Sequence, residues 1–280
     1  MRRLVAALAA GLLAGGAAGA PVHYVAMGSS FAAGPGIGAA AAGARRCGQA
    51  ADSYPRQLAR KLGLGLTDMT CSGATTAHLL GPWRELPAQL DALRADTALV
   101  TVTVGGNDVG YIGGLFAASC KVMPGAGVCG RASAPPPPEE ADWQALAGRL
   151  DEIAREVRRR APAARLVFVD YLTVLPEEGG CASAPMGAAE ADAARAVAAR
   201  LAAETAAATT RAQDMGMRAD LLSAAALSAG HDACGARPWM TGFVAPAGAR
   251  GFVPYHPRLA GMTAVADALA AMLGEMGEGE

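Results

Sequence analysis

With 280 residues, 52% apolar and 18% charged positions, a net charge of -1 and six cysteines, the chain lacks the high-charge, low-apolar signature of disorder and the basic surface of a general nucleic-acid binder. Length alone allows one large domain or two small ones. Because 69 residues are alanine, which buries little area, the core must be built from leucine, valine, isoleucine, methionine and a few aromatics.

The chain opens with Arg2 and Arg3, then an uncharged stretch from Leu4 to Ala20 ending in Ala18-Gly19-Ala20. This predicts a signal peptide over residues 1–20 and a mature domain over 21–280; the stretch is too short and glycine-rich for a stable membrane span. Val22 to Met27 predicts a buried strand running into Gly28-Ser29-Ser30 and the glycine-rich Gly34 to Gly38. Ser53 to Leu62 predicts a helix with Pro55 in its first turn, where the missing N–H costs nothing. Leu64 to Cys71 predicts a second strand. Ala98 to Val104 reads A-L-V-T-V-T-V, β-branched and apolar enough to be buried on both faces, and ends at Gly105-Gly106-Asn107-Asp108.

Ala118 to Pro138 is expected to be a cysteine-bounded surface loop closed by four prolines, Pro135 to Pro138, which cannot be helix or central strand. Trp143 to Arg160 has Leu146, Leu150, Ile153 and Val157 at helical spacing and leads into a strand over Leu166 to Asp170. The Arg158–Arg160 triplet suits the end of that helix. A long alanine-rich helix over Ala188 to Met215, a weak strand near Met217 to Leu221 and a final helix over Pro257 to Met272 complete the pattern. Alternating strands and helices predict one open parallel sheet with helices on both faces.

In an exported chain an even cysteine count reads as a disulfide framework, whose pairing spacing alone leaves open. Cys47, Cys71, Cys120, Cys129, Cys181 and Cys234 contain no C-x-x-C, so a structural zinc site is not expected; no metal or organic cofactor is otherwise implied.

In open parallel sheets ligands sit beyond the carboxyl ends of the strands. Three loops there carry small and polar residues, Gly28-Ser29-Ser30, Cys71-Ser72-Gly73-Ala74 and Gly105-Gly106-Asn107-Asp108, and Tyr255-His256-Pro257 precedes the last helix. A serine hydroxyl needs an imidazole to take its proton, and the tetrahedral intermediate needs fixed N–H donors. Ser30 is thus the candidate nucleophile and His256 the base. The N–H groups of Ser30 and Gly73 and the Asn107 amide are the candidate oxyanion hole. His231-Asp232 is a rival imidazole–carboxylate pair, whereas His23 and His78 read as structural.

These blocks, in this order, resemble the SGNH or GDSL hydrolases, whose pattern is a G-D-S turn, a glycine, G-x-N-D and a D-x-x-H-P near the C-terminus. The resemblance spans nearly all of the predicted mature chain. It implies a three-layer α/β/α, flavodoxin-like fold on a five-stranded parallel sheet, and an esterase or lipase with a covalent acyl-enzyme. There are two departures: Ser29 stands where the family usually has aspartate, and Val253 stands at the triad acid. Secreted members resembling streptomycete esterases hold the histidine with a main-chain carbonyl, which implies a Ser30–His256 dyad oriented by the Val253 carbonyl. The same resemblance implies the disulfides Cys47–Cys71, Cys120–Cys129 and Cys181–Cys234. Gly110 to Phe116 and the loop after it are expected to wall an acyl pocket for a small-molecule or lipid ester. The missing aspartates leave room for a non-catalytic binding module on this fold, and the substrate class leaves open an esterase that deacetylates polysaccharide. A monomer is expected, although the sequence carries no signal for oligomeric state.

Overall fold

The computed structural model describes residues 20–274 except 44, 127–128, 130–134, 247 and 249–250. The expected signal peptide, residue 20 apart, lies outside the described residues. Five strands, β1 (His23–Gly28), β2 (Gly65–Asp68), β3 (Thr97–Thr103), β4 (Arg165–Val169) and β5 (Ala219–Leu222), form one sheet in the order β2-β1-β3-β4-β5. Every neighbouring pair is parallel. The helices are α1 (Ser30–Ala33), α2 (Tyr54–Leu62), α3 (Thr76–Leu80), α4 (Tyr111–Val122), α5 (Glu140–Arg160), α6 (Ala188–Asp214), α7 (Ala224–Leu227) and α8 (Leu259–Gly274).

The chain leaves β1 for β2 on one side and then returns to lay β3 on the other. Right-handed crossovers in opposite directions put helices on opposite faces. Accordingly α2 packs on α8, while α5 packs on α3 and α6, and α6 on α4. The result is the expected three-layer α/β/α arrangement, with the loops after β1 and β3 diverging at the switch point where such sheets bind ligands.

Local sequence explains the element ends. Pro55 occupies the first turn of α2, and Gly63, at φ 65°, closes it. α5 starts ahead of the expected Trp143 because Glu139 and Asp142 form a reciprocal cap, and it buries Trp143, Leu146, Leu150, Ile153, Ala154 and Val157 along one stripe. One expectation needs correction: Ala118 to Val122 is not loop but the last part of α4. Tyr111, Ile112, Leu115, Ala118 and Ser119 bury its inner face, and two glycines in its first turns masked that stripe in the sequence.

The three disulfides join Cys47 to Cys71, Cys120 to Cys129 and Cys181 to Cys234. They close loops that loop-entropy arguments value at about 3.5, 2.7 and 4 kcal/mol, respectively. Among the described residues no helix is long and apolar enough to cross a membrane.

Candidate active site

β1 delivers Ser30. Its last residue, Gly28, has φ 140°, and a Cβ there would collide with the Thr103 carbonyl oxygen, so only glycine lets β1 lie this close to the end of β3. The Gln89 side chain clamps this glycine from both sides: Gly28 N–H donates to Oε1 at 2.7 Å and Nε2 donates to the Gly28 carbonyl at 3.1 Å. Ser29 N–H donates to Thr103 O at 2.9 Å, and the chain turns directly into α1. Ser30 is thereby held at the carboxyl end of the central strands, only 7% exposed.

His256 arrives from the segment before α8. Its Nε2 lies 2.8 Å from Ser30 Oγ, across 226 positions of sequence. Its Nδ1 lies 2.7 Å from the Pro254 carbonyl oxygen. A carbonyl can only accept, so the ring proton sits on Nδ1 and the bare Nε2 accepts the serine proton. Burial holds the imidazole below its usual pKa of 6.5, opposed by the Pro254 hydrogen bond, and so favours the neutral base.

The carbonyl that orients His256 therefore belongs to Pro254 and not to Val253. Tyr255 explains the shift. It is a buried residue in the left-handed region, at φ 57°, and this turn folds Pro254 back toward the ring two residues on. The conformation is strained for a bulky side chain. It is held by a Tyr255–Ser119 hydroxyl hydrogen bond and by Phe243 stacked at 6.0 Å. The Val253 carbonyl is engaged elsewhere, accepting from Thr241 Oγ1 at 2.7 Å. The same Thr241 oxygen accepts the His256 N–H at 2.9 Å. Thr241 was not legible in the sequence, being an isolated residue in a loop with no motif around it.

The other two loops are tied to this couple by hydrogen bonds. Cys71 N–H donates to Gly28 O at 2.9 Å and Ser72 N–H to Cys47 O at 2.9 Å, so the Cys47–Cys71 bridge and β1 together hold the Gly73 turn. Gly73 has φ 85°, with Trp83 against its Cβ side. Asn107 Nδ2 donates to Ala74 O at 2.9 Å, which joins the third loop to the second and leaves the amide a second N–H to offer. Asp108, nearly buried, accepts the Thr76 N–H at 3.0 Å and the Thr76 hydroxyl, fixing the start of α3 against the same loop. Burial raises the Asp108 pKa, and the Thr76 hydrogen bonds work against that shift.

His231 and Asp232 have other partners. His231 Nδ1 lies 2.8 Å from Arg237 O with its ring stacked on Trp239, and Asp232 Oδ1 accepts the Cys234 N–H at 2.8 Å. His78 helps cap α3, and His23 bonds Thr97 and Thr67 inside the sheet. Phe116, expected in a pocket wall, instead packs edge-on against Phe243 and Tyr255 beneath the His256 turn.

A hydroxyl and a correctly protonated imidazole at the carboxyl ends of a doubly wound parallel sheet define an α/β serine ester hydrolase. The family profile described as GDSL-like Lipase/Acylhydrolase matches residues 26–264. Lipase 2 of Streptomyces coelicolor is 31% identical over 299 aligned positions, which cover 96% of this chain and 94% of that one. Among solved structures, phospholipase A1 from Streptomyces albidoflavus NA297 superposes with a TM-score of 0.69 at 26% identity, covering 91% of this chain and 99% of that one. The extracellular lipase from Streptomyces rimosus gives a TM-score of 0.66, with the same identity and coverage. The chain belongs to the GDSL-like lipase/acylhydrolase family.

Proposed function

We propose that the protein is a secreted carboxylic-ester hydrolase working through a Ser30–His256 dyad and a covalent acyl-enzyme. The observation that carries this reading is the 2.8 Å approach of His256 Nε2 to Ser30 Oγ with Nδ1 engaged by the Pro254 carbonyl. Ser30 Oγ attacks the ester carbonyl carbon as its proton passes to Nε2, and the carbonyl electron pair moves onto oxygen. The N–H groups of Ser30 and Gly73 and the Asn107 amide stabilise that oxyanion. Collapse expels the alcohol, which leaves with the Nε2 proton, and water repeats the sequence to release the acid. The Pro254 carbonyl fixes the tautomer but cannot offset the imidazolium charge as a carboxylate would.

Secretion is supported by the residue pattern of the leader over 1–20, by three disulfides and by the likeness to an extracellular lipase. Residues 21–280 would then be the mature single domain. Aliphatic or lipid esters are favoured by a largely apolar groove of about 230 Å³ lined by Val109, Tyr111, Gly114, Val197 and the prolines Pro135 to Pro138, in the segment that follows Asn107 in the chain.

A panel of p-nitrophenyl esters of increasing acyl length, run with wild type and Ser30→Ala, tests the reading. Turnover by wild type and its loss in Ser30→Ala are expected. Wild-type inactivity on every chain length, with the fold intact, would instead indicate a binding module.

A further inference from the structure

Ser29, where the family usually carries aspartate, does not stand alone. Its Oγ lies 3.2 Å from the hydroxyl of Tyr171, a buried residue two positions beyond β4. That hydroxyl also accepts the Gly106 N–H at 2.9 Å. The tyrosine ring packs on Phe31 with centroids 4.5 Å apart, and Phe31 in turn packs on the His256 ring at 5.6 Å. One side chain therefore touches the residues on both sides of Ser30 and the backbone just before Asn107.

The third loop is shaped to admit it. A Cβ on Gly106 would sit 2.8–3.0 Å from the Tyr171 ring carbons and hydroxyl, so the variable position of the G-x-N-D block has to be glycine here. Burial pushes the Tyr171 phenol up to about 12, so its O–H stays protonated and able to donate to Ser29 at any working pH.

We infer that Tyr171 is a positioning residue that replaces the absent aspartate, locking the nucleophile turn at Ser29 and Phe31 to the Asn107 loop at Gly106. The inference rests on the Ser30–His256 reading of the site. Tyr171 acts through these neighbours and touches no reacting atom. Removing its hydroxyl leaves two buried groups, the Gly106 N–H and Ser29 Oγ, without their partner, so the register between nucleophile and oxyanion donor loosens.

The test is a double-mutant cycle on p-nitrophenyl butyrate hydrolysis, with kcat and KM resolved and melting temperature as the folding control. Tyr171→Phe keeps the ring and is expected to lower kcat about ten-fold with KM nearly unchanged. Ser29→Asp alone is expected to lower activity, because the longer side chain presses on the Tyr171 hydroxyl. In the Tyr171→Phe background the same substitution is expected to raise kcat, since the carboxylate fills the vacated space and accepts the Gly106 N–H. A purely structural role for Tyr171 would not reverse the sign of Ser29→Asp. Wild-type kcat in Tyr171→Phe, or no gain from Ser29→Asp in that background, overturns the inference. Should Tyr171→Phe fold poorly, Ser29→Ala serves instead, with a clear loss in kcat expected and wild-type kcat overturning the inference. Ser30→Ala run alongside separates the two claims: if it retains turnover the dyad itself is wrong, whereas if only Tyr171→Phe is wild-type the dyad stands and Tyr171 has no such role.

Discussion

Thr241→Val removes a hydroxyl that binds the His256 turn to its neighbouring loop while keeping the side chain's shape. In the native protein this oxygen accepts the His256 N–H at 2.9 Å and donates to the Val253 carbonyl at 2.7 Å. His256 is 8% exposed, so water cannot replace the bond to its N–H, and that loss costs about 1–3 kcal/mol. Val253 is only half buried, so its carbonyl recovers part of its bond from solvent. The total of roughly 2–3 kcal/mol corresponds to a fall in melting temperature of about 4–12 °C for a domain of this size. Because the strained Tyr255 turn presents both Pro254 O and the imidazole, kcat should fall by about ten-fold or more, with KM little changed. Thermal unfolding and p-nitrophenyl butyrate kinetics measure both effects, with Thr241→Ser, which keeps the hydroxyl, as the conservative control. Wild-type stability and turnover in Thr241→Val, or equal damage in Thr241→Ser, would show that this hydroxyl does not hold the His256 turn.

Other perturbations probe other parts of the site. Burial lowers the His256 pKa, so the proposed base stays neutral below the usual histidine value, and the acid limb of kcat/KM should fall at a pH under 6.5; a limb at or above that value contradicts the assignment. The sign for stability follows: the unfolded chain takes up the proton more readily, so stability declines as pH drops from about 6.5 through the lower native value, as acid titration of unfolding would show. Asn107→Ala should reduce kcat by about 10²–10³ while leaving acyl-chain preference intact, and a loss under about five-fold would remove Asn107 from the oxyanion hole. A Cβ at Gly114 meets nothing within 4 Å, and Gly114 lines the groove, so Gly114→Phe should narrow it, sparing acetyl and butyryl esters and depressing dodecanoyl esters about ten-fold. An unchanged chain-length profile would place the acyl chain elsewhere.

The sheet was the most legible part of the molecule. The β-branched run of β3 and the apolar residues of β1 announce strands buried on both faces, and the helical stripe of α5 is clear from Leu146 to Val157. The nucleophile turn, the Gly73 turn and the Asn107 loop were legible because each sets a glycine beside a polar residue beyond a strand, and His256 because it stands with Pro257 just before the last helix. What failed was information carried by conformation. Nothing in Val253-Pro254-Tyr255-His256 signals that Tyr255 takes a left-handed φ, and without it the orienting carbonyl falls on the wrong residue. Tyr171 and Thr241 were invisible for a related reason: each is an ordinary residue whose role exists only through partners brought together by folding, in the case of Tyr171 across 142 positions. The glycines of α4 hid a helix by interrupting its apolar stripe.

The proposed mechanism requires that Ser30 become covalently acylated. Treating the folded protein with a fluorophosphonate and mapping the adduct by peptide mass spectrometry addresses it directly. One adduct is expected, on Ser30, formed slowly or not at all in His256→Ala. Modification of another residue, or full-rate labelling without His256, would contradict it.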